Sequence, residues 1–181
     1  MKSSFYSLSE LKELGLKSFG DKVLISRKCS IYSPEKITIG DNVRIDDFCI
    51  LSGNITLGSN IHISAFCALY GTNGIIIEDY SGMSPRSIIF SAIDDFHGDH
   101  LIGPIHPKEF TNVTGGTVVL KKYTQLGANT IVMPNITLEE GAVTGAMTFV
   151  NKNLEAWTIN IGIPVKQKSK RSNNLIKFLD N

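Results

Sequence analysis

A chain of 181 residues has the length of one ordinary domain, and a chain near this size buries about 70% of its unfolded surface without disulfide or metal staples. Eighteen Lys+Arg against seventeen Asp+Glu leave a formal charge of +1, which argues against nucleic acid as a partner. Hydrophobic residues make up 42% of the chain, excluding wholesale disorder, and no apolar run reaches the roughly 18 residues of a membrane-spanning helix.

The opening Met1-Lys2-Ser3-Ser4-Phe5-Tyr6-Ser7-Leu8 turns polar before a signal-peptide core of about 7–15 apolar residues can form. The three cysteines are odd in number and none lies in a CxxC. Together these point to reduced thiols in a cytoplasmic protein. Ser7-Leu8-Ser9-Glu10 has the form of a capping box, opening a helix through Leu11 and Leu14 that Gly15 stops. Residues 1–18 are read as an N-terminal cap helix.

A period of six then takes over. Apolar residues recur at Phe19, Ile25 and Ile31, and after a two-residue slip at Ile39, Ile45, Leu51, Leu57, Ile63 and Leu69. Another two-residue slip leads to Ile77, Met83 and Ile89; the series resumes at Leu120, Leu126, Val132, Leu138, Thr144 and Val150. Four residues after each comes a second small or aliphatic residue, among them Val23, Cys29, Val43, Cys49, Ile61, Cys67, Ser87 and Thr130, with Asn73 an exception. Gly40, Gly58, Gly127 and Gly145 directly follow the aliphatic, where a corner would need unusual dihedrals. One amphipathic helix cannot produce this period; short strands joined by corners, with the first and fifth residues pointing inward, can. Stacked about 4.7–4.9 Å apart, such strands form a parallel β-solenoid in which each coil covers its neighbour's edge.

Three hexads per triangular coil give about six coils over residues 19–165. Cys29, Cys49 and Cys67 then share one internal column as small hydrophobes. Both slips, and the long interruption at 94–119, fall on the same corner. Tyr32, Tyr70 and Phe90 are placed outward on one face, one coil apart, as an apolar strip suited to an interface. Residues 166–181 form a basic tail: Lys166, Lys168, Lys170 and Arg171 lead into a short helix over Ser172–Leu179. The loop holds three of the four histidines, in Asp94-Asp95-Phe96-His97-Gly98-Asp99-His100 and at His106, with Glu109 beyond; its length suggests function. His62 reads as a surface residue at a hexad corner.

The hexads, together with Gly82-Met83-Ser84-Pro85-Arg86, Val143-Thr144-Gly145-Ala146 and Gly162-Ile163-Pro164-Val165-Lys166, resemble the hexapeptide-repeat acyltransferases, most closely the galactoside and maltose O-acetyltransferase branch. The resemblance implies an all-β, left-handed parallel β-helix with short helical caps, assembled as a homotrimer with acyl-CoA between neighbouring prisms. It implies an acetyl-CoA-dependent O-acetyltransferase acting on a sugar hydroxyl in cell-surface polysaccharide biosynthesis. It also places Ala128 and Ala146 beside the pantetheine arm, Asn151 and Lys152 where the family has Thr-Lys, and Lys166 toward the nucleotide phosphates. Trp157 is read as packing the last coil.

A hydroxyl acceptor needs a base. His97 is the candidate, oriented by Asp94 or Asp95; the family's T-G-H-P segment is absent, and its histidine position falls on Asp94. His100, or an aspartate of raised pKa, are the other readings. No metal is expected, since the γ-type carbonic anhydrases take their three histidines from across a subunit boundary and not from one loop. An N-acetyltransferase of a nucleotide-linked amino sugar is the alternative, because an amine needs a weaker base; a metal-dependent or non-catalytic β-helix is the third. The basic tail leads the cap or meets phosphate, on CoA or on anionic lipid carrying a lipid-linked sugar.

Overall fold

Each hexad folds as a short strand followed by a corner, and successive coils pair in parallel. The computed structural model describes residues 3–179, which wind as a three-sided parallel β-solenoid. On the first side Phe19, Ile39, Leu57, Ile77, Leu120 and Leu138 lie in register, and a bridge adds Leu154. On the second, Ile25, Ile45, Ile63, Met83 and Leu126 continue into Thr144 and Asn160. On the third, Ile31, Leu51, Leu69, Ile89, Val132 and Val150 stack. The prism therefore has seven rungs on two sides where six coils were expected. Counting in sixes assigns Leu154 to the inward position of a later corner, but the chain shortens after Val150 and Leu154 becomes a new first-side rung.

Most of these rungs are fully buried, as are Cys49 and Cys67 beside them. The cysteine column is as the spacing predicts, with half-buried Cys29 at its head. Its thiols also donate downward: Cys29 Sγ to the Asp46 carbonyl at 3.1 Å, Cys49 Sγ to Ser64 at 3.1 Å and Cys67 Sγ to Ser84 at 3.2 Å. Ser87 continues the column, its hydroxyl donating to the Gly127 carbonyl at 2.9 Å. No buried side-chain polar atom lacks a partner among the described residues, as buried hydroxyls require.

The corners depart from the sequence reading. Positive φ occurs three residues after most rungs of the first and second sides, at Asn42, Phe48, Asn60, Phe66, Tyr80, Arg86, Tyr123, Asn129 and Met147, and not at Gly40, Gly58, Gly127 or Gly145. Those glycines serve close approach instead: a Cβ on Gly40 would sit 2.6 Å from the Gly58 carbonyl oxygen, and one on Gly127 2.5 Å from the Gly145 carbonyl carbon. Most of these left-handed residues send a backbone N–H along the axis. Asn42 donates to Asp21, Asn60 to Asp41, Tyr80 to Ser59, Arg86 to Ala65, Asn129 to Pro85 and Met147 to Ala128, at 2.7–3.1 Å.

Outward side chains at matching positions consequently stack. Tyr70 and Phe90 lie 5.3 Å apart, Phe48 and Phe66 5.0 Å, Tyr80 and Tyr123 5.7 Å. Tyr32 is not adjacent to Tyr70, because Ser52 occupies the coil between them.

Both ends are closed. The helix Leu8–Glu13 carries its capping box, with Arg27 held on Glu10 at 2.6 Å, and Phe5 bridges antiparallel to Ser26 over the first coil. At the other end the basic run is a strand, Lys166–Lys170, antiparallel to Thr158–Ile161, and the short helix is a 3-10 turn, Asn174–Phe178. Gly162, at φ +98°, begins the reversal that lays the run against the last coil. Gly40→Ala should lower unfolding free energy by about 1–3 kcal/mol in a urea titration, since the atom it meets is backbone of the next coil.

Candidate functional site

The long loop leaves and returns through a two-residue antiparallel ribbon, with Ala92 opposite Gly115 and Ile93 opposite Thr114. Asp94 emerges directly from it, half-buried, accepting the Gly103 N–H at 3.4 Å. It borders a hollow of about 340 Å³ whose other walls are Phe90, Ala92, Ile93, Phe96 and Met133. An apolar hollow beside a single carboxylate suits a small, mostly apolar group with one polar handle.

Asp95 is committed elsewhere. Its buried carboxylate accepts the His97 N–H at 2.8 Å and pairs with His100 Nδ1 at 2.8 Å. The His100 ring, then the His97 N–H, hold its carboxyl below the ordinary value. The structure thus joins Asp95 to His100 and to the backbone of His97. The His97 ring is exposed and makes no hydrogen bond among the described residues, while His106 is half-buried and Glu109 exposed. No three His, Cys, Asp or Glu side chains converge as metal ligands among the described residues.

The second side presents another polar group. Ser84 directly follows its fourth strand, Gly82–Met83, with Oγ accepting from Gln125 Nε2 at 3.2 Å, which leaves the hydroxyl hydrogen free to donate. Gly82 lies beside it, with His62 on the preceding coil and Arg44 on the one before. His62 is a mid-strand residue, not a corner one: its Nε2 meets Asp46 Oδ2 at 2.8 Å, and Arg44 Nε meets Asp46 Oδ1 at 2.7 Å. Sequence reasoning passed over this group. Its signal was the eighteen-residue step from Arg44 to His62, one full coil, at an outward strand position.

Ala128 and Ala146 occupy the corner after the second side on consecutive coils, where Gly127 and Gly145 bring the backbones into contact. The resulting ledge is open to a slender chain such as a pantetheine arm. Lys166, exposed, pairs with Ile161 at the foot of the same side. Asn151 and Lys152, also exposed, follow the third side and belong to a different edge. Trp157 stacks on Tyr123 at 6.0 Å and under Arg171 at 5.8 Å, and Arg171 donates to the Tyr123 and Gly141 carbonyls, so both pack the last coils.

Because the Asp95 carboxyl is depressed in the folded state, its stabilisation is present above the ordinary carboxylate range and is lost as pH falls through the depressed value. Asp95→Asn should speed hydrogen exchange of the His97 amide at neutral pH, and should remove the loosening of the loop expected in the unsubstituted chain as pH falls through the depressed value of the Asp95 carboxyl.

No protein-family model matches the chain. A dTDP-4-amino-4,6-dideoxy-D-glucose acyltransferase of Escherichia coli is 42% identical over 172 residues, 93% of this chain and 90% of the relative. The N-acyltransferase AntD of Bacillus cereus, crystallised as a variant with dTDP-4-amino-4,6-dideoxyglucose and coenzyme A, superposes with a TM-score of 0.96 at 46% identity, covering 99% of this chain and 97% of that one. A complex of AntD with dTDP and 3-hydroxybutyryl-CoA gives the same TM-score at 47% identity, over 99% and 96% of the two chains. These relatives correct the sequence reading in two respects. The chain does not fall in the galactoside and maltose O-acetyltransferase branch, and transfer of acetyl to a sugar hydroxyl for polysaccharide biosynthesis is overturned by N-acyltransferases matching over nearly the whole length. With its seven-rung solenoid and these relatives, the chain belongs to the hexapeptide-repeat β-helix acyltransferases, in the group that contains the N-acyltransferase AntD.

Proposed function

We propose that the protein transfers an acyl group from a CoA thioester to the amine of a dTDP-linked 4-amino-4,6-dideoxy sugar. The observation that carries this reading is the near-complete match to AntD, whose crystallised ligands include that sugar nucleotide together with coenzyme A. AntD has been crystallised with substitutions of its serine 84 and its aspartate 94, and this chain has Ser84 and Asp94 at those numbers.

The chemistry follows from the acceptor. A neutral amine attacks the thioester carbonyl, the C–N bond forms as the C–S bond breaks, and the proton shed by nitrogen ends on the departing sulfur. An amine is nucleophilic as its free base, so no strongly basic side chain is needed; the half-buried carboxylate of Asp94 can hold the amine, and the Ser84 hydroxyl can donate to the carbonyl oxygen as charge develops there. His97, exposed and unsupported, has no necessary part in such a step. Ala128, Ala146 and Lys166, on one corner below Ser84, are suited to the pantetheine arm and phosphates, with Asn151 and Lys152 on the adjoining edge.

Ser84 lies on the second side and Asp94 beyond the third, with the strand Ile88–Phe90 between them. One prism therefore offers each group to a different groove, which supports a site shared between copies in a homotrimer. The outward residues of the third side, Ile50, Ala68, Ile88, Ile131 and Phe149, form an apolar face suited to that contact.

Purified protein given 3-hydroxybutyryl-CoA or acetyl-CoA and the amino-sugar nucleotide should release free thiol and yield an amide of the corresponding mass. Asp94→Ala and Ser84→Ala should each lower kcat/KM by about tenfold or more, whereas His97→Ala should change it by less than about threefold. An ester product, or no transfer to the amine, would overturn the reading.

A further inference from the structure

We infer that Asp95 and His100 are positioning residues for Asp94: their pair anchors the first turn of the long loop and so fixes the Asp94 carboxylate beside the apolar hollow. The inference rests on the amine-transfer reading and adds to it the two residues that aim its carboxylate. Asp94 and Phe96 both line the hollow of about 340 Å³, whereas Asp95, between them, is buried and lines none of it. Side chains that leave one short stretch of backbone in different directions are aimed together. Whatever holds Asp95 therefore sets where Asp94 and Phe96 point, and a group that must meet a reacting atom needs such support from its surroundings.

Asp94 does not hold itself. Its hydrogen bond among the described residues is a long one, from the Gly103 N–H to Oδ1 at 3.4 Å. Gly103 offers little rigidity, since it sits at φ +98° with nothing within 4 Å of where a Cβ would stand. Oδ2 of Asp94 accepts from no described residue and is left for the amine. Asp95, by contrast, uses both oxygens: Oδ1 accepts the His97 N–H and Oδ2 meets His100 Nδ1, each at 2.8 Å. The imidazole is the outer member of the pair, its side chain 39% exposed against 7% for that of Asp95. It is also the loop's only ion-pairing partner among the described residues, as His97, Asp99, His106 and Glu109 make no such pair. A neutral ring with its proton on Nδ1 donates as a charged ring does, so the tie does not require His100 to be charged. Without the ring, Oδ2 of Asp95 is unpaired in a buried place. The loop relieves that only by turning Asp95 toward water, and Asp94 turns with it.

The test is a double-mutant cycle of His100 and Asp94, read as kcat/KM for acylation of the dTDP-linked amino sugar by 3-hydroxybutyryl-CoA. His100→Ala should lower kcat/KM about tenfold, and Asp95→Ala at least as far. His100→Asn, whose amide nitrogen falls near the place of Nδ1, should recover it to within about threefold. In the Asp94→Ala background, His100→Ala should cost less than about threefold further, because the residue it aims is gone. Calorimetric CoA affinity should stay within about twofold in the His100 variants. An undiminished kcat/KM in His100→Ala, no recovery in His100→Asn, or a loss of the same size with and without Asp94 would overturn the inference while leaving the amine-transfer reading intact. Loss of CoA affinity in His100→Ala would give the pair a general structural role and likewise overturn it. Failure of the unsubstituted protein to acylate the amine would overturn both.

Discussion

The axial hydrogen bond made at most left-handed corners is the contact on which the prism depends. A left-handed backbone costs an ordinary residue roughly 1–2 kcal/mol, and a backbone hydrogen bond returns about 0.5–1.5 kcal/mol net, so the corner alone is close to neutral. The rung decides the sign: burying a Leu, Ile or Met side chain contributes about 1.5–3 kcal/mol, and one lies three residues before most such corners, with Thr144 before Met147 an exception. Residues as bulky as Phe66, Tyr80 and Arg86 are therefore tolerated at positive φ, where in an isolated turn glycine or asparagine would be needed.

The repeat was legible because burial is periodic. Aliphatic rungs, the cysteine column and the shared corner of slips and loop can all be counted. What escaped counting was conformation. Gly40 and Gly127 look like turn residues, but their place is set by the backbone of the next coil, which no local pattern reveals. Leu154 and the terminal strand were misplaced for a related reason: once the chain shortens after Val150, a count in sixes no longer carries over.

The site was legible in its parts and not in its arrangement. The loop marked itself by length and histidine content, yet its buried carboxylate, Asp95, spends its hydrogen bonds on the loop, and the group left facing a hollow is Asp94. Arg44, Asp46 and His62 are ordinary surface residues in sequence; only stacking shows that they form one charged track beside Ser84. The amine acceptor of the relatives, where a hydroxyl was expected, had one trace in the sequence, an aspartate where a histidine was due. An amine brings its own nucleophilicity, so a chain lacking that histidine is not impaired by its absence.

The reversed strand Lys166–Lys170 has a consequence for growth. A parallel stack has a head and a tail, and in principle one copy's tail could template the next copy's head without end. Here the final edge runs against the direction of every coil above it and bristles with lysine, so an incoming first coil would find both the wrong polarity and like charge from its own Lys17 and Lys22. On the second side, head-to-tail growth is thus disfavoured at the terminus.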